Sequence, residues 1–247
     1  MAIPPNLVSG KQKAPPRIMI YGEEGIGKST FAASAPSTVF IHTEDGLGEI
    51  DCVHYEKVAR TFEEFMERLR WVRDGDHEFQ TLAIDSLDWL ERLIWDRVCA
   101  DYGVKCIEKA DGGYGKGYTH AITYWRQFTD LLDEIREKRP MAVVLTAHAK
   151  IEHYEDPEYP SYDRTTPRLH KAACSLIREW VDAVLFATRR KRVDQTTGKA
   201  APIGAGGGER ILRTNGGPAC VAKNRFHLPE EIPLSWAEFM AALLSDK

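Results

Sequence analysis

This 247-residue sequence has no long apolar run, no closely spaced pair of cysteines and only a small net charge. No apolar stretch approaches the roughly 20 residues that a membrane-spanning helix needs, so we expect no membrane partner. The five cysteines are scattered and no C-x-x-C pair occurs. This spacing indicates neither a disulfide framework nor a zinc site. The N-terminal residues lack the apolar core of a secretory signal, and we therefore expect a cytoplasmic protein.

The bulk charge is small and negative, at −4. Charged residues make up 28% of the chain and hydrophobic residues 43%, which is typical of a globular protein. Such a balance does not favour strong non-specific binding to nucleic acid, so any contact of that kind must come from a local patch of cations.

One glycine-rich stretch, "GEEGIGKST" from Gly22 to Thr30, follows the apolar run Ile18–Tyr21. The order predicts a strand, a tight turn and a helix that begins near Lys28, and the spacing fits the phosphate-binding loop G-x-x-x-x-G-K-[ST]. A chance match in an ordinary turn is the alternative. The predicted nucleotide-binding residues are Gly22, Glu23, Glu24, Gly25, Ile26, Gly27, Lys28, Ser29 and Thr30.

The chemistry of a triphosphate explains these residue types. Successive backbone N–H groups of a glycine-rich loop form a concavity for an anion, and the lysine reaches the β- and γ-phosphates. Lys28 is therefore predicted to hold ATP, and the Ser29 hydroxyl to hold Mg²⁺.

The rest of the chain alternates between strand and helix patterns. We expect an α/β fold with a mostly parallel sheet, helices on both faces and a C-terminal β-hairpin. We predict a flexible arm at 1–16, followed by one domain at 17–247. Further strands are predicted at 39–43, 81–84, 141–146, 183–188, 210–214 and 219–223, helices at 61–73, 86–102, 119–138, 166–182 and 235–244, and loops at 111–120, 150–168 and 196–210.

Polar side chains follow several of these strands, and parallel sheets place ligands beyond the carboxyl ends of their strands. Asp85 is predicted to hold Mg²⁺, with a helix cap as the alternative. Glu44 is predicted to deprotonate the attacking water, with a solvated acidic turn as the alternative. His148 is predicted to contact the γ-phosphate or that water, or else to have a structural role.

The pieces "GEEGIGKST", "VFIHTEDGL", "TLAIDS", "AVVLTAHAK" and "CVAKNRFHLP" resemble, in this order, the RecA/Rad51 core of P-loop ATPases. The chain looks most like the short phage ATPases of that branch, which include single-strand annealing proteins. The resemblance implies a catalytic glutamate at Glu44 and a Walker-B aspartate at Asp85. His148 stands where RecA-type proteins use a glutamine to sense the γ-phosphate. If a phage encodes the chain, its cytoplasm is that of the host.

The resemblance also implies residues that act on a neighbouring subunit. Lys223 and Arg225 stand where RecA-type filaments carry a pair of cations that reach the γ-phosphate of the next subunit, and a solvated strand end is the alternative. These two residues therefore imply a homo-oligomer, either a filament or a ring.

Two predicted loops correspond to the DNA loops of RecA-type proteins, at 112–118 and 150–171. The candidate contacts with single-stranded DNA are Tyr114, Lys116, Tyr118, Arg164, Arg168 and Lys171. Five carboxylates in the second loop favour an alternative, a lid or a subunit contact.

The function expected from the sequence is a self-assembling, Mg-ATP-dependent ATPase that binds single-stranded DNA in phage recombination or annealing. Assembly and single-stranded DNA are expected to stimulate hydrolysis, and a single-strand-binding protein is a further candidate partner. The alternatives are a nucleotide-dependent assembly switch or loader that acts on proteins, and a hexameric RecA-like helicase motor.

Overall fold

The computed structural model describes residues 7, 9–10, 14–158, 160–193, 200–202 and 208–245. Most of the arm predicted at 1–16 and much of the loop predicted at 196–210 lie outside the described residues.

Strands and helices alternate along the described chain. The strands are β1 (Arg17–Gly22), β2 (Thr38–His42), β3 (Val53–His54), β4 (Thr81–Asp85), β5 (Ala142–Tyr154), β6 (Tyr162–Pro167), β7 (Ala183–Arg189), β8 (Lys191–Val193), β9 (Ala200–Pro202), β10 (Arg210–Arg213), β11 (Lys223–Asn224) and β12 (Glu231–Pro233). The helices are α1 (Lys28–Ala33), α2 (Phe62–Asp74), α3 (Leu87–Asp101), α4 (Lys116–Lys138), α5 (Lys171–Trp180) and α6 (Trp236–Ser245), with a short 3₁₀ segment at Ile107–Gly112.

The main sheet has the strand order β12-β10-β7-β1-β5-β4-β2-β3, with β6 beside β5 and β11 beside β7. The six strands from β7 to β3 in this order pair in parallel, and the other strands pair antiparallel. The register sets Gly22 beside His148, and His42 beside Asp85. The predicted α/β fold with a mostly parallel sheet is confirmed. The carboxyl ends of β2 and β4 lie on the same side of the sheet as His148, where the pairing of β5 with β1 ends.

Alternate residues of the central strands pack into two cores, one on each face of the sheet. Met19, Leu82 and Leu145 face α2, α3, α4 and α5, where Trp125 and Phe128 are buried. The intervening residues face α1 and α6 on the other side, together with Phe31, Trp236 and Phe239. This alternation follows from the two-residue period of a strand, and the prediction of helices on both faces is confirmed.

The helix predicted at 61–73 is present as α2, and a capping box starts it. The Thr61 hydroxyl accepts the backbone N–H of Glu64 at 3.1 Å, and the Glu64 carboxylate accepts the backbone N–H of Arg60 at 2.9 Å. These bonds satisfy donors that have no partner within the helix, so the local sequence is sufficient to start α2 at this point.

The flexible loop predicted at 111–120 is wrong in its second half. α4 begins at Lys116 and not at Thr119, so Lys116 and Tyr118 lie in its first turn. A Cβ at Gly117 would lie 2.1 Å from the carbonyl oxygen of Ile107. This glycine therefore permits close packing of α4 on the 3₁₀ segment, whereas the sequence suggested flexibility.

The loop predicted at 150–168 is also wrong. β5 continues to Tyr154, turns, and pairs antiparallel with β6, so that Lys150 lies opposite Thr166 and Glu152 opposite Arg164. The helix predicted from residue 166 begins only at Lys171, because β6 occupies the residues up to Pro167. The second predicted DNA loop is therefore mostly a β-hairpin, which we call the β5–β6 hairpin.

Antiparallel strands follow β7 as predicted, but the strands predicted at 210–214 and 219–223 do not pair with each other as a hairpin. β10 pairs with β7 and β12, whereas β11 pairs with the beginning of β7. Asn215-Gly216 between the two strands is a local hairpin signal, whereas in the structure β10 and β11 each pair with β7. Within the described residues, no helix combines the length and the apolar character needed to cross a bilayer.

Candidate nucleotide site

The glycine-rich segment, with all nine predicted nucleotide-binding residues, forms the turn from β1 into the first residues of α1. A Cβ at Gly22 would lie 2.3 Å from the carbonyl oxygen of Ala187 on β7, so only glycine fits where the turn begins. Gly27 has a φ of 110°, in the left-handed region that favours glycine. These two positions bring the backbone into the tight turn that a phosphate-binding loop requires.

Lys28 is a buried cation at the centre of this turn, with 7% of its surface exposed. Its Nζ donates hydrogen bonds to the carbonyl oxygens of Gly22 and Glu23, at 3.1 and 3.0 Å. Burial lowers the pKa of Lys28, and the nearby carboxylates of Asp85 and Glu44 oppose that shift. The turn thus holds a partly desolvated amine where the motif requires a cation that contacts the phosphates.

Asp85 lies at the end of β4 with 4% of its surface exposed. The Thr146 hydroxyl on β5 donates a hydrogen bond to its carboxylate. The residue that precedes α3 as its N-cap is Ser86, so Asp85 is not the helix cap that the alternative required.

The turn after Asp85 is braced against β2. The Thr43 hydroxyl donates to the carbonyl oxygen of Ser86 at 2.8 Å and accepts the Ser86 backbone N–H at 3.1 Å. Among the described residues there is no group of three or more His, Cys, Asp or Glu side chains that could bind a metal by itself. A single carboxylate with a serine hydroxyl is nevertheless the kind of set that holds Mg²⁺ when phosphates supply the other ligands.

Glu44 follows β2, and its side chain is only 21% exposed. Burial raises the pKa of Glu44, and the neighbouring carboxylate of Asp85 acts in the same direction, against the effect of His148. The solvated turn proposed as the alternative is therefore wrong for Glu44, although Asp45 is exposed. A half-desolvated carboxylate with a raised pKa is a better proton acceptor than an exposed one.

His148 bridges Glu44 and a carboxylate that the sequence did not single out. Its Nε2 lies 3.9 Å from Glu44 Oε1. Its Nδ1 lies 3.0 Å from Asp88 Oδ2, and its backbone N–H donates to Asp88 Oδ1 at 3.0 Å. Because an ionised carboxylate can only accept hydrogen bonds, Asp88 fixes the proton on Nδ1 and directs Nε2 towards Glu44.

Asp88 is also paired with Arg168. The guanidinium lies 2.7 Å from Asp88 Oδ2 on one side and 3.6 Å from Glu24 of the glycine-rich turn on the other. Burial alone would raise the pKa of Asp88, but hydrogen bonds from His148 and Arg168 outweigh it and hold the pKa well below its usual range. The structure thus places Arg168 beside the candidate nucleotide site. Its predicted contact with single-stranded DNA stays a prediction.

A second buried carboxylate, Glu91, lies one helical turn after Asp88. Both of its oxygens accept the backbone N–H of His170 at 3.0 Å. Burial raises the pKa of Glu91 to about 7. Spacing on α3 could have suggested Asp88 and Glu91 as a pair on one face, but only the fold brings them to β5 and the start of α5.

The other predicted DNA residues have different environments. Tyr114 is fully exposed, and Lys116 lies 3.7 Å from the carboxylate of Asp111. The ring of Tyr118 stacks on His170, with centroids 4.3 Å apart, so one of its faces is not free for a base as predicted. On the β5–β6 hairpin, the Arg164 guanidinium lies 3.8 Å from the ring centroid of Tyr154.

Lys223 and Arg225 lie at the opposite edge of the sheet from the glycine-rich turn. β11 pairs with β7 at Val184 and Ala183, whereas Gly22 pairs with Ala187. The Lys223 Nζ donates to the carbonyl oxygens of Arg178, Glu179 and Val181 at 2.6, 3.1 and 2.6 Å, which satisfies the end of α5.

Arg225 is half exposed, and its guanidinium lies 3.7 Å from the Asp182 carboxylate. Both cations are therefore remote from the turn of their own chain. Their action on a neighbouring subunit stays a prediction, and Lys223 has a structural role besides.

Comparison with known proteins gives one family and one relative. The model of an AAA domain family, AAA_24, matches residues 14–226, which is most of the chain. The SPbeta prophage-derived uncharacterized protein YorG of Bacillus subtilis (strain 168) is 23% identical over 150 residues. That match covers 60% of this chain and 45% of YorG, so the chain spans less than half of that relative.

Proposed function

The chain belongs to the AAA domain family of P-loop ATPases, and from this premise we propose that it is a RecA-like, self-assembling Mg-ATPase that binds single-stranded DNA in phage recombination or annealing. The observation that carries the proposal is the convergence of four side chains at one sheet edge. Lys28, Asp85, Glu44 and His148 come from the glycine-rich turn and from three neighbouring strands.

Each side chain of this cluster has a role in hydrolysis. Lys28 exchanges its two carbonyl partners for the β- and γ-phosphates, which remain strong acceptors in the buried turn. Ser29 and Asp85 would hold Mg²⁺, which would neutralise charge on the phosphates. The Glu44 carboxylate accepts the proton of the attacking water, and its raised pKa suits that step.

His148 supports Glu44 from one side. With its proton held on Nδ1 by Asp88, it offers the Nε2 acceptor to the water, and its ring cannot rotate without breaking the bonds to Asp88. Pre-positioning of this kind lowers the reorganisation needed in the transition state.

Single-stranded DNA and assembly are the further parts of the proposal. The β5–β6 hairpin continues from the nucleotide site and carries Arg164 and the rings of Tyr154 and Tyr162. These three side chains are partly exposed, and aromatic rings together with cations are the groups that bind single strands. The similarity to YorG, a prophage-derived protein, supports a phage setting. Lys223 and Arg225 are the proposed cations acting on the neighbouring subunit.

A protein-directed assembly switch is the second candidate, and the tip of the β5–β6 hairpin favours it. Glu155, Asp156, Glu158 and Asp163 lie there, and their charges repel a nucleic-acid backbone. Such a tip is better suited to contact a basic protein surface.

Imaging by electron microscopy separates the two candidates. The protein would be imaged with a non-hydrolysable ATP analogue, alone and with a single-stranded oligonucleotide, with the Lys28→Ala variant as the nucleotide-free control. Filaments or rings that require both the analogue and DNA support the proposal. Assemblies that form with the analogue alone and ignore DNA support the switch, and absence of assembly with either contradicts both.

A further inference from the structure

A small cleft lies between the β5–β6 hairpin and α5. One wall is the hairpin face that carries Lys150, Glu152, Arg164 and Thr166. The register explains this set, because Lys150 pairs with Thr166 and Glu152 pairs with Arg164, and alternate residues of a strand share a face.

The other wall is one face of α5. Lys171, Cys174, Ser175 and Arg178 line the cleft. Their spacing of three, four and seven residues puts them on the same side of a helix. Two separate elements thus present their side chains to one space of about 100 Å³. This volume is well below the roughly 300–1,000 Å³ of pockets that enclose whole organic ligands, and suits a single small group.

The lining is strongly cationic in a protein whose overall charge is negative. Four cations and one carboxylate face the cleft, so its formal charge is +3, against −4 for the whole chain. The carboxylate, Glu152, lies 3.8 Å from the Arg164 guanidinium. The Lys150 Nζ donates a hydrogen bond to the carbonyl oxygen of Leu169 at 2.8 Å. The charge of Lys150 has no carboxylate partner among the lining residues.

Two of the arginines have unused donors. The Nε atoms of Arg164 and Arg178 are buried, and neither has a hydrogen-bond partner among the described residues. A buried donor without a partner destabilises the protein, so a ligand that accepts these bonds is favoured. Hydroxyls of Thr166 and Ser175 lie in the same lining and add two further donors.

We propose that this cleft binds a backbone phosphate of single-stranded nucleic acid. A phosphodiester is small, anionic and rich in acceptors, and it matches the volume, the charge and the unused guanidinium donors. The inference rests on the proposed function and gives it a location. It assigns the backbone contact to Lys150, Arg164, Lys171 and Arg178, whereas the sequence had suggested only two of these residues.

Variants that remove positive charge from the cleft, and a variant that removes its negative charge, test the assignment. The double change Lys171→Gln with Arg178→Gln removes two cations from the helix wall. Glu152→Gln removes the one carboxylate from the hairpin wall. The matched control, Arg70→Gln with Arg92→Gln, removes two exposed cations from α2 and α3. Fluorescence anisotropy with a labelled single-stranded oligonucleotide and the ATP analogue measures affinity at several salt concentrations, and hydrolysis without DNA is measured beside it.

We expect the double variant to bind roughly tenfold more weakly. The slope of the logarithm of affinity against the logarithm of salt concentration should be shallower by about one, because a complex with one phosphate contact fewer releases fewer counterions. Glu152→Gln should bind more tightly, and a gain cannot arise from misfolding. The control and the DNA-free hydrolysis should match the wild type.

Wild-type affinity in the double variant, or unchanged affinity in Glu152→Gln, would overturn the cleft assignment alone. A wild-type protein that binds no single strand at low salt would overturn the DNA part of the proposed function and the ligand of the cleft together.

Discussion

The pairing of Asp88 with His148 and Arg168 predicts a measurable loss of stability when the charge of Asp88 is removed. Asp88→Asn keeps the size of the side chain, and its oxygen can still accept the His148 backbone N–H. The change weakens the bonds to His148 Nδ1 and to the Arg168 guanidinium, which are 3.0 and 2.7 Å long. It should leave the packing around residue 88 intact.

The magnitude follows from those two bonds. Hydrogen bonds to a charged group contribute about 1.5–3 kcal/mol each. The Arg168 side chain is 39% exposed, so solvent screens its share and reduces it. We therefore expect the free energy of unfolding to fall by about 2–3 kcal/mol at pH 7.

The pH dependence supplies a second signature. The folded-state pKa of Asp88 is held below the value of about 3.9 for an unfolded aspartate, so the pair stabilises the protein above that value. The stabilisation is lost as the pH falls towards the folded pKa. The difference between wild type and Asp88→Asn should thus be constant from pH 7 to about pH 5 and should narrow below about pH 4.

Urea denaturation followed by circular dichroism measures both effects. Asp74→Asn is a matched control, since Asp74 also pairs with an arginine but its side chain is 50% exposed, and the change should affect stability little. If Asp88→Asn and wild type unfold at the same urea concentration at pH 7, Asp88 does not stabilise this arrangement and the role given to it here is wrong.

Three further predictions concern the nucleotide. Lys28→Ala should weaken ATP binding strongly in calorimetry, because the phosphates lose their buried cation; unchanged affinity would contradict the P-loop assignment. Glu44→Gln should keep ATP affinity and lower the turnover by about 10²–10⁴-fold, while Asp45→Asn, which alters an exposed neighbour, should not; the reverse pattern would move the base by one residue. Mixing Lys28→Ala chains with chains that carry both Lys223→Ala and Arg225→Ala should restore some hydrolysis, and an inactive mixture that demonstrably co-assembles would exclude action between subunits.

Strong local signals explain which elements could be predicted from the sequence. β1, β2 and β4 are short apolar runs that end in chemically distinctive residues, and α2 has its cap within its first turn. The strand-end rule was sufficient to bring Asp85, Glu44 and His148 to one edge of the sheet.

The β5–β6 hairpin could not be predicted in this way. Its residues from Lys150 to Tyr154 alternate between charged, apolar and aromatic types, and proline and aspartate follow them in the turn, a pattern typical of loops. What makes this segment a strand is the continuous pairing of β5 with β6, a non-local interaction.

Asp88 was missed for a different reason. In the sequence it is an acid in the first turn of a helix, where acids are common. Its partners His148 and Arg168 are 60 and 80 residues away along the chain. Only the packing of α3 against β5 brings the three together, and no local pattern contains that information.

The contact at Gly22 has a consequence for how the family's sequences should be compared. A Cβ there would meet the Ala187 carbonyl of the neighbouring strand whether or not a nucleotide is ever bound. A chain of this lineage that had lost catalysis would still be constrained to keep the first glycine of the motif, since the sheet itself selects it. A glycine at the position of Gly22 in a relative therefore indicates a shared fold. Whether that relative hydrolyses ATP must be judged from Lys28 and the carboxylates of the site.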